Sequence, residues 1–130
     1  MKLEQIREVL AGSWAGTKTN GRHYGEREML CCQASDLMSD VLSTRGPGAV
    51  LLTGLANIQA IRTAEISDFA AVCFVRGKSP SAEVLALAEE KGIALMVTPL
   101  SMFEACGRLY ARGLRSSPGG KEAAHCPTQG

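Results

Sequence analysis

Ala71-Val72-Cys73-Phe74-Val75 runs directly into Arg76-Gly77-Lys78-Ser79-Pro80, and Ala94-Leu95-Met96-Val97 runs into Thr98-Pro99-Leu100-Ser101. Each is a short apolar run ended by small polar residues and followed by a helical pattern. That is how a β-strand feeding a helix N-terminus reads in sequence. Ala49-Val50-Leu51-Leu52-Thr53, turned by Gly54 into a helix around Asn57–Ala64, is a third unit of the same kind. Strands apolar throughout suit a parallel sheet covered on both faces. Tandem strand–helix steps with right-handed crossovers make such a sheet. The fold class is therefore α/β: one domain with a mainly parallel sheet of about four strands, flanked by helices on both faces.

Working outward, Met29-Leu30-Cys31-Cys32 supplies the first strand, Ala70–Val75 the third and Ile93–Val97 the fourth. Leu3, Ile6, Val9 and Leu10 recur at helical spacing and predict a helix over Lys2–Ala11, ended by Gly12. Residues 13–27 read as a long loop or irregular hairpin, with Asn20-Gly21 as its turn signal. Ser35 and Asp36 cap a helix with an inner stripe of Leu37, Met38, Val41 and Leu42, broken at Arg45-Gly46-Pro47-Gly48. Ser79 caps the next helix with Pro80 at its first position, Val84, Leu87 and Ala88 inward, and Lys91-Gly92 at its end. Ser101 and Glu104 form a capping box before a helix facing inward with Met102, Phe103, Cys106, Leu109 and Tyr110. From Ser116 the composition turns to Ser, Pro, Gly, Lys and Glu, so residues 1–115 form the domain and 116–130 a disordered tail.

The composition sets limits on function. Fourteen basic and thirteen acidic residues leave a net charge of +1, with no basic run to attract nucleic acid or an anionic membrane. No apolar stretch reaches the roughly 18–20 residues of a membrane span, and the N-terminus lacks a signal peptide's apolar region. A cytoplasmic location follows as an expectation. The five cysteines, three of them inside apolar runs, read as reduced and mostly buried thiols. A Gly-x-x-x-x-Gly-Lys-Ser/Thr phosphate loop, a Gly-x-Gly-x-x-Gly turn and a Gly-x-Ser-x-Gly elbow are all missing from the sequence. No catalytic residue, metal site or cofactor is assigned.

Four segments together resemble the DRTGG domain. They are Ala34–Val41, Gly54-Leu55-Ala56-Asn57-Ile58, Gly77-Lys78-Ser79-Pro80 and Lys91–Glu104. The domain also occurs in HPr kinase N-terminal regions, phosphotransacetylases and CBS-domain pyrophosphatases. The resemblance spans Ser35 to Leu114 and implies a compact bacterial α/β module, often dimer-forming or regulatory, with no catalytic activity of its own. Stand-alone relatives of this kind imply a protein partner in a redox or regulatory system. One position departs from the pattern: Arg76 stands where the family usually has the first glycine of a Thr-Gly-Gly-type turn.

In open α/β sheets ligands bind beyond the carboxyl ends of the strands. That edge carries Ser35, Asp36, Thr53, Asn57, Arg76, Lys78, Ser79, Thr98 and Ser101. Arg76 and Lys78 beside a helix N-terminus suit a nucleotide or other small anion. Ordinary helix capping by each Ser and Thr, with each charge simply solvated, also accounts for these residue types. Asp36 and Asp40 read either as a shared carboxylate pair or as first-turn acids favoured by the helix dipole. Cys31 and Cys32, adjacent in a strand, send their thiols to opposite faces. His23, Tyr24 and the pair His125-Cys126 are left as partner contacts or nothing, since two ligands do not make a structural zinc site. The sequence thus leaves two functional expectations. One is a regulatory or scaffold module acting as a homodimer or with a protein partner, using apolar residues such as Trp14, Leu55, Met102 and Leu114. The other is a sensor for a small anionic ligand at the strand ends.

Overall fold

The computed structural model describes residues 1–16, 24–44 and 46–117. The predicted turn at Asn20-Gly21, His23, Arg45, the pair His125-Cys126 and most of the predicted tail lie outside them. The elements in chain order are α1 Leu3–Val9, β1 Ser13–Trp14, β2 Cys31–Ala34, α2 Met38–Leu42, β3 Ala49–Thr53 and α3 Ile58–Ile66. They continue with β4 Ala71–Phe74, α4 Ala82–Lys91, β5 Ala94–Val97, α5 Met102–Ala111 and β6 Arg115–Ser116.

One six-stranded sheet runs in the order β1-β5-β4-β3-β2-β6. All neighbours are parallel except β1, which lies antiparallel on β5. The register is unshifted along the centre: Leu51 faces Val72, and Val72 faces Leu95. Equivalent residues therefore point the same way on every strand. Leu51, Val72, Phe74 and Leu95 bury one core beneath α2, α3 and α4. Val50, Leu52, Cys73 and Met96 bury the other beneath α1 and α5. Both faces being covered explains why β3 and β4 are buried at every position.

The chain steps from β2 to β5 in one direction and then returns past β2 to place β6. A right-handed crossover that reverses direction puts its helix on the opposite face. This separates α5 from α2, α3 and α4 and makes the β2–β6 boundary the topological switch point.

The sheet has two more strands than the four expected. Both additions, β1 and β6, contain two residues each and lack any periodicity to read. The segment 13–27 is thus not loop throughout, since Ser13–Trp14 extends the sheet. The first core strand starts at Cys31 rather than Met29, because Leu30 and Cys31 N–H groups both turn to Gly48 O before pairing begins. Ser116, placed by sequence at the start of the tail, pairs with Cys32 in β6, and the Ser117 N–H donates to Cys32 O at 2.9 Å.

Helix details also differ. Ser81, not Ser79, caps α4 by accepting the Val84 N–H at 3.3 Å. The stretch Ser79-Pro80-Ser81 offers two candidate caps, and the later one wins. The helix after β2 begins at Met38 without a side-chain cap. Leu37 and Leu42 stand 58% and 48% exposed, so its inner stripe is Met38 and Val41 alone. On α5 the buried residues are Ala105 and Leu109, while Phe103 and Tyr110 point outward. The inward face is thus rotated from the expected one. Cys31 and Cys32 do fall on opposite sides of the sheet. Cys32, Cys73 and Cys106 carry free thiols, whereas Cys31 is disulfide-bonded, against the expectation of a reduced thiol there.

Candidate functional site

The carboxyl ends of β2 to β5 gather most of the polar residues expected there, and most are held by a definite contact. Asp36, just beyond β2, is the hub. Its Oδ1 accepts the Gly54 N–H at 2.6 Å and the Thr53 hydroxyl at 3.2 Å. Its Oδ2 lies 3.6 Å from Arg76 Nη2. Thr53 Oγ1 in turn accepts the Leu55 N–H at 3.1 Å. Asp36 thus joins three successive strand ends. Its role is to hold backbone and a cation, and the shared-carboxylate reading with Asp40 is not needed to explain it.

Arg76 adopts φ 61° and Gly77 φ 68°. Two consecutive left-handed residues reverse the chain after β4. Glycine takes that conformation freely, whereas for a residue with a Cβ it costs about 1–2 kcal/mol. The turn that the family resemblance describes with glycines is therefore present here, with one of them replaced by an arginine that bears the strain. Its compensation is local. The Arg76 N–H donates to Leu100 O and the Gly77 N–H to Thr98 O, both at 2.7 Å. The guanidinium reaches across to Asp36. A Cβ on Gly54 would stand 2.6 Å from Arg76 Nη2 and 3.3 Å from Asp36 Oδ1, so any larger residue there would have to displace the end of the Arg76 side chain.

The remaining residues do separate work. Ser35 Oγ accepts the Leu37 N–H at 3.0 Å in a short turn. Asn57 caps α3 by accepting the Ala60 N–H at 3.2 Å. Ser101 caps α5 by accepting the Glu104 N–H at 3.2 Å, while Glu104 turns to Arg108 rather than back to Ser101. Thr98 is fully buried, and its hydroxyl donates to Leu10 O at 2.5 Å, tying α1 to β5. Lys78 and Ser79 are exposed. The structure brings Asp36, Thr53 and Arg76 into one cluster with Gly54. It sets Thr98 below the surface and leaves Asn57 and Ser101 at their helices. Sequence reasoning missed Gly54 as the position that this cluster packs over; its signals were a glycine directly after a strand and its place at the head of one of the resembling segments.

Elsewhere, Tyr24 lies beneath the Arg27 guanidinium, 4.1 Å from ring centroid to Cζ. Arg27 also donates to Ala70 O and Gly92 O at 2.7 and 3.1 Å, at the other end of the sheet. Tyr24 is thus occupied within the chain.

The same architecture is found in the crystal structure of the CBS and DRTGG domains of the regulatory region of Clostridium perfringens pyrophosphatase, complexed with the activator diadenosine tetraphosphate. The match has a TM-score of 0.65 at 17% sequence identity and covers 95% of this chain. The fold is DRTGG-like. This DRTGG-like domain spans about half of that solved chain, of which 53% is covered. No protein-family model matches the sequence, and no curated protein matches it. At such low identity the likeness is one of architecture. No helix among the described residues is long and apolar enough to cross a membrane.

Proposed function

We propose that this chain is a non-catalytic regulatory module that works by associating with a second copy of itself. The observation that carries the reading is on α5. Phe103 is 90% exposed and Tyr110 66% exposed. Seven residues apart, they lie on one helix face. The opposite face of the same helix, Ala105 and Leu109, is core. An aromatic pair this open on an ordered amphipathic helix is costly in water and marks a contact surface. Of the apolar residues singled out in the sequence, Leu114 belongs to the core, and Trp14, Leu55 and Met102 are half-buried. The surface therefore falls on Phe103 and Tyr110 instead. A fold shared with a pyrophosphatase regulatory region supports a regulatory role, and a protein partner in a redox or regulatory system would use the same face. A cytoplasmic setting belongs to this proposal. Molar mass by light scattering across a concentration series tests it.

A second reading is supported by the ligand of the structural neighbour, a dinucleoside polyphosphate. In it the domain senses a nucleotide or other small anion at the strand ends, through Ser35, Asp36, Thr53, Asn57, Arg76, Lys78, Ser79, Thr98 and Ser101. Lys78 forms no ion pair among the described residues and is the open positive charge of that edge. Thermal unfolding against a nucleotide panel tests this reading. Bound ligand at about 100 times its dissociation constant adds roughly 2.7 kcal/mol. The gain should vanish in an Arg76→Ala/Lys78→Ala double variant.

A further inference from the structure

We propose that the cavity between β2, β6 and α5 binds a small apolar monoanion of the carboxylate class, with Arg115 taking the charge. The cavity has a volume of about 230 Å³. It lies at the boundary between β2 and β6, where the order of the parallel strands reverses. The connection leaving β2 runs to α2 on one face of the sheet, whereas α5, which leads into β6, lies on the other. The cavity reaches the last residues of both strands, Ala34 and Ser116.

Its walls are apolar. Cys32, Ala34, Cys106, Leu109 and Leu114 form the floor and sides. Burial pushes the Cys32 and Cys106 thiols up, so both stay protonated and present no negative charge at neutral pH. Among the described residues the rim carries one cation. The Arg115 guanidinium stacks on Tyr110, 4.8 Å from Cζ to the ring centroid. Its only hydrogen bond among the described residues is a long one, 3.5 Å, to Leu114 O, and it joins none of the ion pairs there. A guanidinium has five N–H donors in a planar fork that matches a carboxylate bidentately.

Three features select the ligand. Drug-sized ligands occupy pockets of about 300–1,000 Å³, so this smaller cavity takes a body of about one ring. A single arginine matches a single charge. The helix here presents Cys106, Leu109 and Tyr110, its C-terminal half, whose negative dipole end opposes any anion, and a polyphosphate more than a single charge that Arg115 can offset. The site is thus distinct in place and in chemistry from the strand-end nucleotide reading.

The test is an amide-resolved NMR titration of the full chain with sodium benzoate, with benzyl alcohol as the uncharged counterpart. Benzoate should give saturable shifts centred on the amides of Gln33, Ala34 and Ser116. Benzyl alcohol, and benzoate with the Arg115→Gln variant, should each bind at least about tenfold more weakly, as loss of a charge-assisted hydrogen bond requires. Cys106→Leu keeps the arginine and fills the cavity, so it should abolish the shifts while the folded spectrum is retained. Overturning results are no saturable shift at those amides through the millimolar range, equal benzoate binding by both variants, or shifts centred on Arg76 and Lys78.

Discussion

The Asp36 carboxylate accepts the Gly54 N–H at 2.6 Å, which fastens the end of β2 to the turn that leaves β3. The same carboxylate holds the Thr53 hydroxyl and faces Arg76 after β4. Sequence proximity plays no part, since 18 residues separate donor and acceptor. The relationship makes Asp36 a structural clamp on the edge where α/β sheets bind ligands.

Replacing Asp36 with alanine strands the Gly54 N–H and removes the counter-charge of Arg76. A hydrogen bond to a charged group is worth about 1.5–3 kcal/mol, and Asp36 is partly exposed to water. The expected loss is therefore about 1–2 kcal/mol. The Asp36→Asn variant should recover part of it, because an amide oxygen still accepts. Urea unfolding of the two variants measures both. Equal stability of Asp36→Ala and the parent would mean that water replaces the clamp without cost.

Gly46 makes a sharper case. A Cβ there would sit 2.1 Å from Ser67 O and 2.6 Å from Phe69 N, both backbone atoms that cannot rotate away. Gly46→Ala must push apart the loop before β3 and the loop after α3. Overpacking of this kind costs about 1–3 kcal/mol and sometimes more, and the closeness of the clash places this variant at the top of that range. Chemical denaturation checks it. A variant as stable as the parent would contradict this packing.

Glu4 connects stability to pH. The Arg7 guanidinium hydrogen-bonds it and holds its carboxyl below the ordinary value of 4.5, against the opposing effect of burial. A carboxyl lowered in the folded state contributes stability that is complete above its unfolded value. That contribution is lost as pH falls through the folded value. Stability should therefore decline below pH 4.5, and less steeply in Glu4→Gln. Trp14 reports the event, because its indole N–H donates to Glu4 Oε1 at 3.3 Å. As the sole tryptophan, it should show an emission step with a midpoint below 4.5 in the parent and none in Glu4→Gln.

The free thiols should react in an order set by burial. Cys73 is sealed in the core and pushed up to about 12, and Cys106 is half-buried at the edge of the α5 cavity. Only thiolate reacts with an aromatic disulfide reagent. In the folded protein Cys106→Ala should remove one equivalent from the early phase. Cys73→Ala should leave that phase unchanged.

How much of this is readable in the sequence depends on what each element needs. Ala49–Thr53 and Ala71–Phe74 are apolar because both faces are buried, so composition alone marks them as central strands. Ser101 caps as read, and Asn57 caps the helix whose sequence pattern starts there, because a cap is a local interaction. Ser13–Trp14 and Arg115–Ser116 are strands only because β5 and β2 offer them an edge. Nothing within two residues signals that. The exposed Phe103 and Tyr110 read as core in sequence because a helix pattern with apolar residues on more than one face does not say which face turns inward. The strand-end cluster is legible as a set of polar residues at one edge. That Asp36, rather than a cation or hydroxyl, organises it follows from the long-range contact with Gly54. The cavity beside Arg115 depends on β6 and is invisible without it.

The most direct test of the central proposal is sedimentation velocity on the full chain over a concentration series, repeated with Phe103→Ser/Tyr110→Ser. Association through α5 predicts a species of twice the chain mass for the parent at micromolar concentration. It also predicts a folded monomer for the double variant, because both residues face solvent within one chain. A parent that stays monomeric at hundreds of micromolar, or a double variant that dimerises as well as the parent, would contradict the account.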